Sequence, residues 1–185
     1  MKSLVLSFFI LIALSGFAQH DKVLEIREYY KDIKSHTEYA TDDSESYYSD
    51  QIVRNNKNLQ WRALGIYQDT ISFWYKDLHE ASQQENNKSQ DSAWALVMVT
   101  SSTQMSVVEH YQEWLFKDGK LIFHFDKMTG YDEESSWEYR YYFNNNKLIR
   151  TLSGNQIIDF EENTKEILNK ADEILKLFKT IISFN

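Results

Sequence analysis

The chain has 185 residues, a formal net charge of −8 and a sequence pI near 5.1, an acidic balance that argues against nucleic acid or an anionic membrane as the main partner. It contains no Cys, which removes disulfides, thiolate metal sites, a Cys nucleophile and lipid attachment through an N-terminal cysteine. With 42% hydrophobic and 15% aromatic residues it can bury a core, which excludes wholesale disorder.

Residues 1–18 read as a signal peptide. Lys2 supplies a positive start, Leu4 to Leu14 is an almost unbroken apolar run, and Gly16 and Ala18 place small residues before a cut after Ala18. The run is too short to cross a hydrocarbon core of roughly 30 Å comfortably. The expectation is export to the periplasm or the extracellular space, with no membrane insertion after cleavage. Residues 19–185 then form a single α+β domain without a Pro-rich or Gly/Ser-rich linker.

Asp21 to about Ala40 reads as a helix, because Val23, Ile26, Tyr30 and Ile33 recur at spacings of three and four. Thr41–Asp50 reads as a polar loop. Short aromatic and β-branched runs then predict strands at Leu59–Tyr67, Thr70–Lys76, Ala93–Thr103, Ser106–Lys117, Lys120–Lys127, Trp137–Phe143 and Lys147–Leu152. Asp118-Gly119 and Asn144-Asn145-Asn146 are hairpin turns, since Gly and Asn tolerate positive φ. Gln68-Asp69 is a weaker third turn, and Asp77–Asp91 an exposed loop carrying an accidental glycosylation sequon at Asn87-Lys88-Ser89. Ile167, Leu168, Ala171, Ile174, Leu175, Phe178, Ile181 and Ile182 form one stripe of a final helix. Asp159 with Glu162 reads as its capping box. The order gives an antiparallel β-meander of about six to eight strands with an N-terminal and a C-terminal helix packed on it; a strongly curved or closed barrel is the alternative.

Chemistry concentrates on the Asp118-Gly119 hairpin. A two-residue loop with unbroken alternation sets Glu113 opposite His124, Tyr111 opposite Asp126, and Trp114 opposite Phe123. Gln112, Trp114, Phe116, Leu121, Phe123 and Phe125 then share a core face. Glu109, Tyr111, Glu113, Ile122, His124 and Asp126 share the other. Glu113, His124 and Asp126 are the candidate catalytic residues, since a His among carboxylates suits acid–base work. The plainer reading is a solvated sheet face. His20, His36, His79 and His110 are isolated in the sequence. No nucleophile elbow, phosphate loop, HExxH or EF-hand pattern occurs, so no metal or cofactor is expected. In WEYRYYF, Trp137, Tyr139, Tyr141 and Phe143 take one face and Glu138, Arg140 and Tyr142 the other. Ile71, Phe73 and Tyr75 likewise oppose Ser72 and Trp74. Both sheet faces therefore carry aromatics, which suits either a helix on each face or a surface for stacking on sugars or peptides.

The segments IREYYKDI (Ile26–Ile33), ISFWY, EWLFKDGKLIFHF (Glu113–Phe125) and EYRYYFNNNKLIR (Glu138–Arg150) together resemble a family of small exported bacterial proteins without an assigned activity. The resemblance is carried by aromatic hairpins and implies no catalytic residue. YYFNNNKLIR also resembles one repeat of the bacterial MORN-like antitoxin proteins. The expectation is a non-enzymatic envelope or extracellular binding domain, its partner a peptide, a glycan or an envelope protein. A hydrolase-type enzyme using Glu113, His124 and Asp126 is the alternative, and assembly through an exposed sheet edge is the third reading.

Overall fold

A computed structural model of the chain describes residues 21–37, 47–62, 65–78, 94–159 and 163–183. The signal peptide, His20, Glu162, the sequon, His79 and most of the Asp77–Asp91 loop lie outside these residues. Helix α1 covers residues 21–37. Nine strands follow: β1 (Tyr48–Arg54), β2 (Gln60–Trp61), β3 (Gly65–Asp77), β4 (Trp94–Met105), β5 (Val108–Lys117), β6 (Lys120–Thr129), β7 (Trp137–Asn144), β8 (Lys147–Ser153) and β9 (Gln156–Ile158). Helix α2 (Thr164–Ile182) ends the fold.

The described strands form one antiparallel sheet in the order β1-β3-β4-β5-β6-β7-β8-β9, with β2 attached to β3. It is an open meander, with β1 and β9 at its edges, rather than a closed barrel. Asp118 and Gly119 turn the β5–β6 hairpin at φ 52° and 71°; Asn145 and Asn146 turn β7–β8 at 50° and 61°. These positive values suit the right-handed twist of the flanking strands. Two further tight turns are formed by Ser106-Val107, which lacks a strong sequence signal, and by Gly154-Asn155, a Gly-Asn pair that suits a two-residue hairpin.

Several sequence expectations are corrected. The turn expected at Gln68-Asp69 does not exist: β3 runs straight through, pairing Gln68 with Gln104 and Asp69 with Thr103. Asp69 is buried rather than turned outward, because Arg54 clamps its carboxylate through Nε and Nη2, and Ser101 and Thr103 donate to it. The strand expected over Leu59–Tyr67 is divided between β2 and the start of β3, which pair with each other. Tyr48–Asp50, expected in a loop, opens β1, which pairs along β3 from Tyr48–Tyr75 to Arg54–Asp69. The strand expected from Ser106 starts at Val108. Helix α2 is preceded by Asn163, which makes no side-chain cap bond, so the expected Asp159 box does not cap it.

The helices cover opposite faces. Under α2 lie Phe73, Tyr75, Leu96, Val99, Trp114, Phe116, Leu121, Tyr141 and Phe143, packed on Ile167, Ala171, Ile174 and Phe178. Under α1 lie Val97, Met98, Leu115, Ile122, Phe123, Tyr142 and Leu152, packed on Val23, Ile26 and Ile33. Three bulges line up across the sheet. The register steps between Trp74 and Tyr75, between Leu115 and Phe116, and between Tyr142 and Phe143. Their extra residues are Val97, Ile122 and Ile149, all against the α1 cluster. A bulge sets two consecutive side chains on one face and bends its strand. Here it doubles the apolar cover beneath α1 with pairs such as Val97–Met98 and Ile122–Phe123.

Phe178 holds α2 to the sheet, its ring 5.2 Å from that of Tyr75 and 6.3 Å from that of Phe73. Phe178→Ala should cost about 3–5 kcal/mol in urea unfolding. Leu177→Ala, one residue earlier at an exposed position, should stay within about 0.5 kcal/mol. Equal losses from both would show that α2 does not dock as described.

Candidate functional site

The bulge at Ile122 redistributes the three candidate residues. Beyond it Leu115 pairs with Phe123, Trp114 with His124, Glu113 with Phe125 and Gln112 with Asp126. The expected facing of Glu113 and His124 is therefore corrected by one step of register. His124 and Asp126 stand on the α2 face with Gln112 and Trp114. Glu113 stands on the α1 face with Phe123 and Phe125.

Glu113 is 2% exposed and fully engaged there. Tyr30 donates to its Oε2 at 2.6 Å; Tyr111 and Lys34 donate to its Oε1 at 2.7 and 3.1 Å. Such a carboxylate ties α1 to β5 and stays in place because its oxygens are met.

His124 and Asp126 remain together and gain His110, which the sequence reading left isolated. His110 Nε2 lies 2.7 Å from Asp126 Oδ1. Gln112 Nε2 donates to Asp126 Oδ2 at 3.3 Å. The pairing of Gln112 with Asp126 brings His110 within reach, because residues two apart along β5 share a face. Burial pushes the Asp126 carboxyl up, but the hydrogen bond and charge of His110, with help from His124 and Gln112, outweigh it and hold the pKa below the usual value.

His124 is held differently. It sits between two aromatic neighbours from the flanking strands. Trp114 stacks at 5.0 Å and 26°, and Tyr141 at 5.7 Å and 21°. Its Nδ1 lies 2.9 Å from the Glu113 carbonyl oxygen. A carbonyl only accepts, so Nδ1 carries the proton. Burial pushes the imidazole down to about 4, so at neutral pH Nε2 is a bare acceptor. That atom faces Asp126 Oδ2 at 3.9 Å. Two acceptors thus confront each other across a gap that neither can fill.

The gap opens into a cleft of about 130 Å³ between the sheet and the first turns of α2, with Glu166 and Lys170 on the helix side. Trp114, whose buried Nε1 has no hydrogen-bond partner among the described residues, lines the same cleft. Beyond α2 the face stays polar, with Ser101, Gln112 and Asp126 in one cross-strand row that continues to Tyr139. The next row runs Asp69, Thr103, His110, Met128 and Trp137. Trp137 is 38% exposed at its end. Among the described residues no group of three or more His, Asp or Glu has the geometry to hold a metal ion. The remaining histidine of the described residues, His36, lies on α1 beside Asp32.

Compared with known proteins, the chain matches no family model, no curated protein and no solved structure. The arrangement must be read from its own geometry.

His124 makes stability depend on pH. The unfolded imidazole titrates near 6.5 and the folded one near 4, so between these values the unfolded chain binds the extra proton. Stability therefore falls as pH drops through that window, by on the order of 3 kcal/mol at most. Asp126, lowered in the fold, keeps its contribution above its unfolded value and loses it only at still lower pH. Urea midpoints taken from about pH 7 down to about pH 4 should record the decline, and His124→Gln should flatten it. An unchanged slope in the variant would assign the decline to other groups.

Proposed function

We propose that the protein is a non-enzymatic binding domain of the envelope or extracellular space, and that it holds a polyhydroxylated ligand, a glycan, on the half of the sheet that α2 leaves open. One observation carries this reading: Asp126 Oδ2 and His124 Nε2, both acceptors, face each other at 3.9 Å beside a cleft. A hydroxyl placed there donates its one proton to either member of this pair and can accept from a nearby donor, a combination that neither an amide N–H nor a carboxylate supplies. The surroundings agree. Gln112 and Ser101 offer further hydrogen-bonding groups in the adjoining row, while Tyr139 and the exposed Trp137 offer flat rings for the apolar face of a sugar. Export, expected from Lys2, the Leu4–Leu14 run and Ala18, would bring such a domain to glycans.

The hydrolase alternative draws less support. Its three residues fall on two faces, and Glu113 is occupied by Tyr30, Tyr111 and Lys34. The His110–Asp126 pair that replaces it lacks a nucleophile motif nearby in the sequence.

Amide NMR titration of the mature chain with cello-, chito- and peptidoglycan-derived oligosaccharides tests the reading. Shifts should concentrate on β5–β7 and the first turn of α2. Asp126→Asn and Trp137→Ala should each weaken binding by about tenfold or more. If no oligosaccharide moves those resonances at millimolar concentration, or both variants bind as the parent does, the glycan assignment fails.

A further inference from the structure

The opposite face of the sheet holds a second cavity with the reverse polarity. It encloses about 340 Å³ beneath α1, near the β8–β9 turn. Small-molecule sites generally begin at about this size. Its apolar wall is Ile26, Phe123 and Leu152, and its polar wall is Arg27, Arg140 and Tyr142. None of its lining residues is acidic, in a chain with 28 Asp and Glu against 20 Lys and Arg.

The state of each polar group narrows what can enter. Arg27 Nε donates to the Tyr142 hydroxyl at 3.1 Å, and its guanidinium carbon lies 5.5 Å from that ring's centroid. This contact orients the fork and leaves both terminal nitrogens without a partner among the described residues. The Tyr142 hydroxyl accepts from Arg27, and its own proton has no acceptor among the described residues; the residue is 2% exposed. Arg140 is anchored, with Nη2 at 2.5 Å from Glu138 Oε1, Nη1 donating to the Gly154 carbonyl at 2.7 Å, and its plane over Phe125. The neighbouring carboxylate of Glu113 is already met by Lys34, Tyr30 and Tyr111. Among the described residues, what remains free in the cavity is one pre-oriented guanidinium fork, one phenolic O–H and the Asn155 amide, above an apolar wall.

We infer that this cavity is a binding site for a small monocarboxylate with an apolar or aromatic body, its carboxylate taken by the Arg27 fork and the Tyr142 hydroxyl. A fork of two parallel N–H donors matches a carboxylate, and a charge-assisted pair is stronger where one side is desolvated. Holding Arg27 on Tyr142 before the ligand arrives lowers the ordering cost of binding. One uncompensated positive charge suits a monoanion, because Arg140 shares its charge with Glu138. The apolar wall selects against a bare inorganic anion, which would leave Ile26, Phe123 and Leu152 uncovered.

The experiment uses benzoate, its neutral counterpart benzamide, and inorganic phosphate, followed by amide and arginine-side-chain NMR on the mature chain. Benzoate should move the Arg27 Nε–H signal and the amides around Ile26–Tyr30 and Leu152. Benzamide should bind about tenfold more weakly or worse. Arg27→Ala should weaken benzoate to the same degree, Tyr142→Phe by less, and Arg27→Lys should restore only part of the loss. A dispersed spectrum in each variant shows that the exposed Arg27 position is not needed for folding. The inference is overturned if no probe shifts these signals at millimolar concentration, if benzamide or the Arg27→Ala protein binds equally well, or if phosphate binds as tightly as benzoate. Because this site lies across the sheet from the proposed glycan surface, failure of either leaves the other standing.

Discussion

The alignment of three β-bulges across the middle of the sheet decides which chemical groups meet. Each adds one residue to alternate strands, at Val97, Ile122 and Ile149, and each added side chain enters the α1 cluster. On either side of that line the alternation of inward and outward residues is regular but offset by one. Without the extra residue in β6, His124 and Asp126 would stand beneath α1 beside Glu113. With it they cross to the α2 face, where His110 and Gln112 are waiting. A single backbone irregularity thus separates a carboxylate met by three donors from one met by two.

Why the bulges are tolerated follows from the two helices. In a sheet with one wet face, a one-residue slip moves apolar groups into water and is opposed by the whole hydrophobic set. Here α1 and α2 make both faces apolar through the central strands, so Ile122 and Phe123 can share a side without exposing either. The gain is denser cover under α1, a helix of nearly five turns that buries only Val23, Ile26 and Ile33 fully. The cost about 2 kcal/mol or less per lost ladder bond is offset by that burial.

The same double cover explains what could be read from the residues alone. Helix α2 was legible because its stripe from Ile167 to Ile182 repeats at one period and meets a single surface. The faces of Trp137–Phe143 and of Ile71–Tyr75 were legible because the extra residues lie in the partner strands, β8 and β4, and leave these alternations unbroken. The Lys120–Lys127 segment was not. Leu121, Phe123 and Phe125 alternate with Ile122, His124 and Asp126 in a pattern that looks amphipathic, yet the chain divides it between Leu121 and Phe123. Nothing in the residue types marks the step, since Ile and Phe are equally at home under either helix. Strand β1 escaped for another reason: at a sheet edge only half its bonds are used, and YSDQIVR carries few apolar residues. Asp69 was misread because an Asp beside Gln resembles a turn; the signal that it is buried is Arg54, fifteen residues earlier and visible only through the register of β1 on β3.

The buried imidazole ties stability to the shape of the cleft. Stacking between Trp114 and Tyr141 fills the core row under α2, and the Glu113 carbonyl fixes the proton on Nδ1. Burial among these rings favours the neutral form, against the carbonyl hydrogen bond that favours the charged one, and Nε2 is left without a donor of its own among the described residues. Protonating Nε2 would relieve its confrontation with Asp126 but would place a charge among aromatic rings, so burial opposes it. The gap is therefore a consequence of how the core packs rather than an accident at the surface. Across the sheet the pattern is inverted: Tyr142, set beneath α1 by the unbroken alternation of β7, accepts from Arg27 and leaves donors uncommitted. One face sets two acceptors against each other beside the indole N–H of Trp114, the other leaves donors uncommitted, and the same sheet carries both.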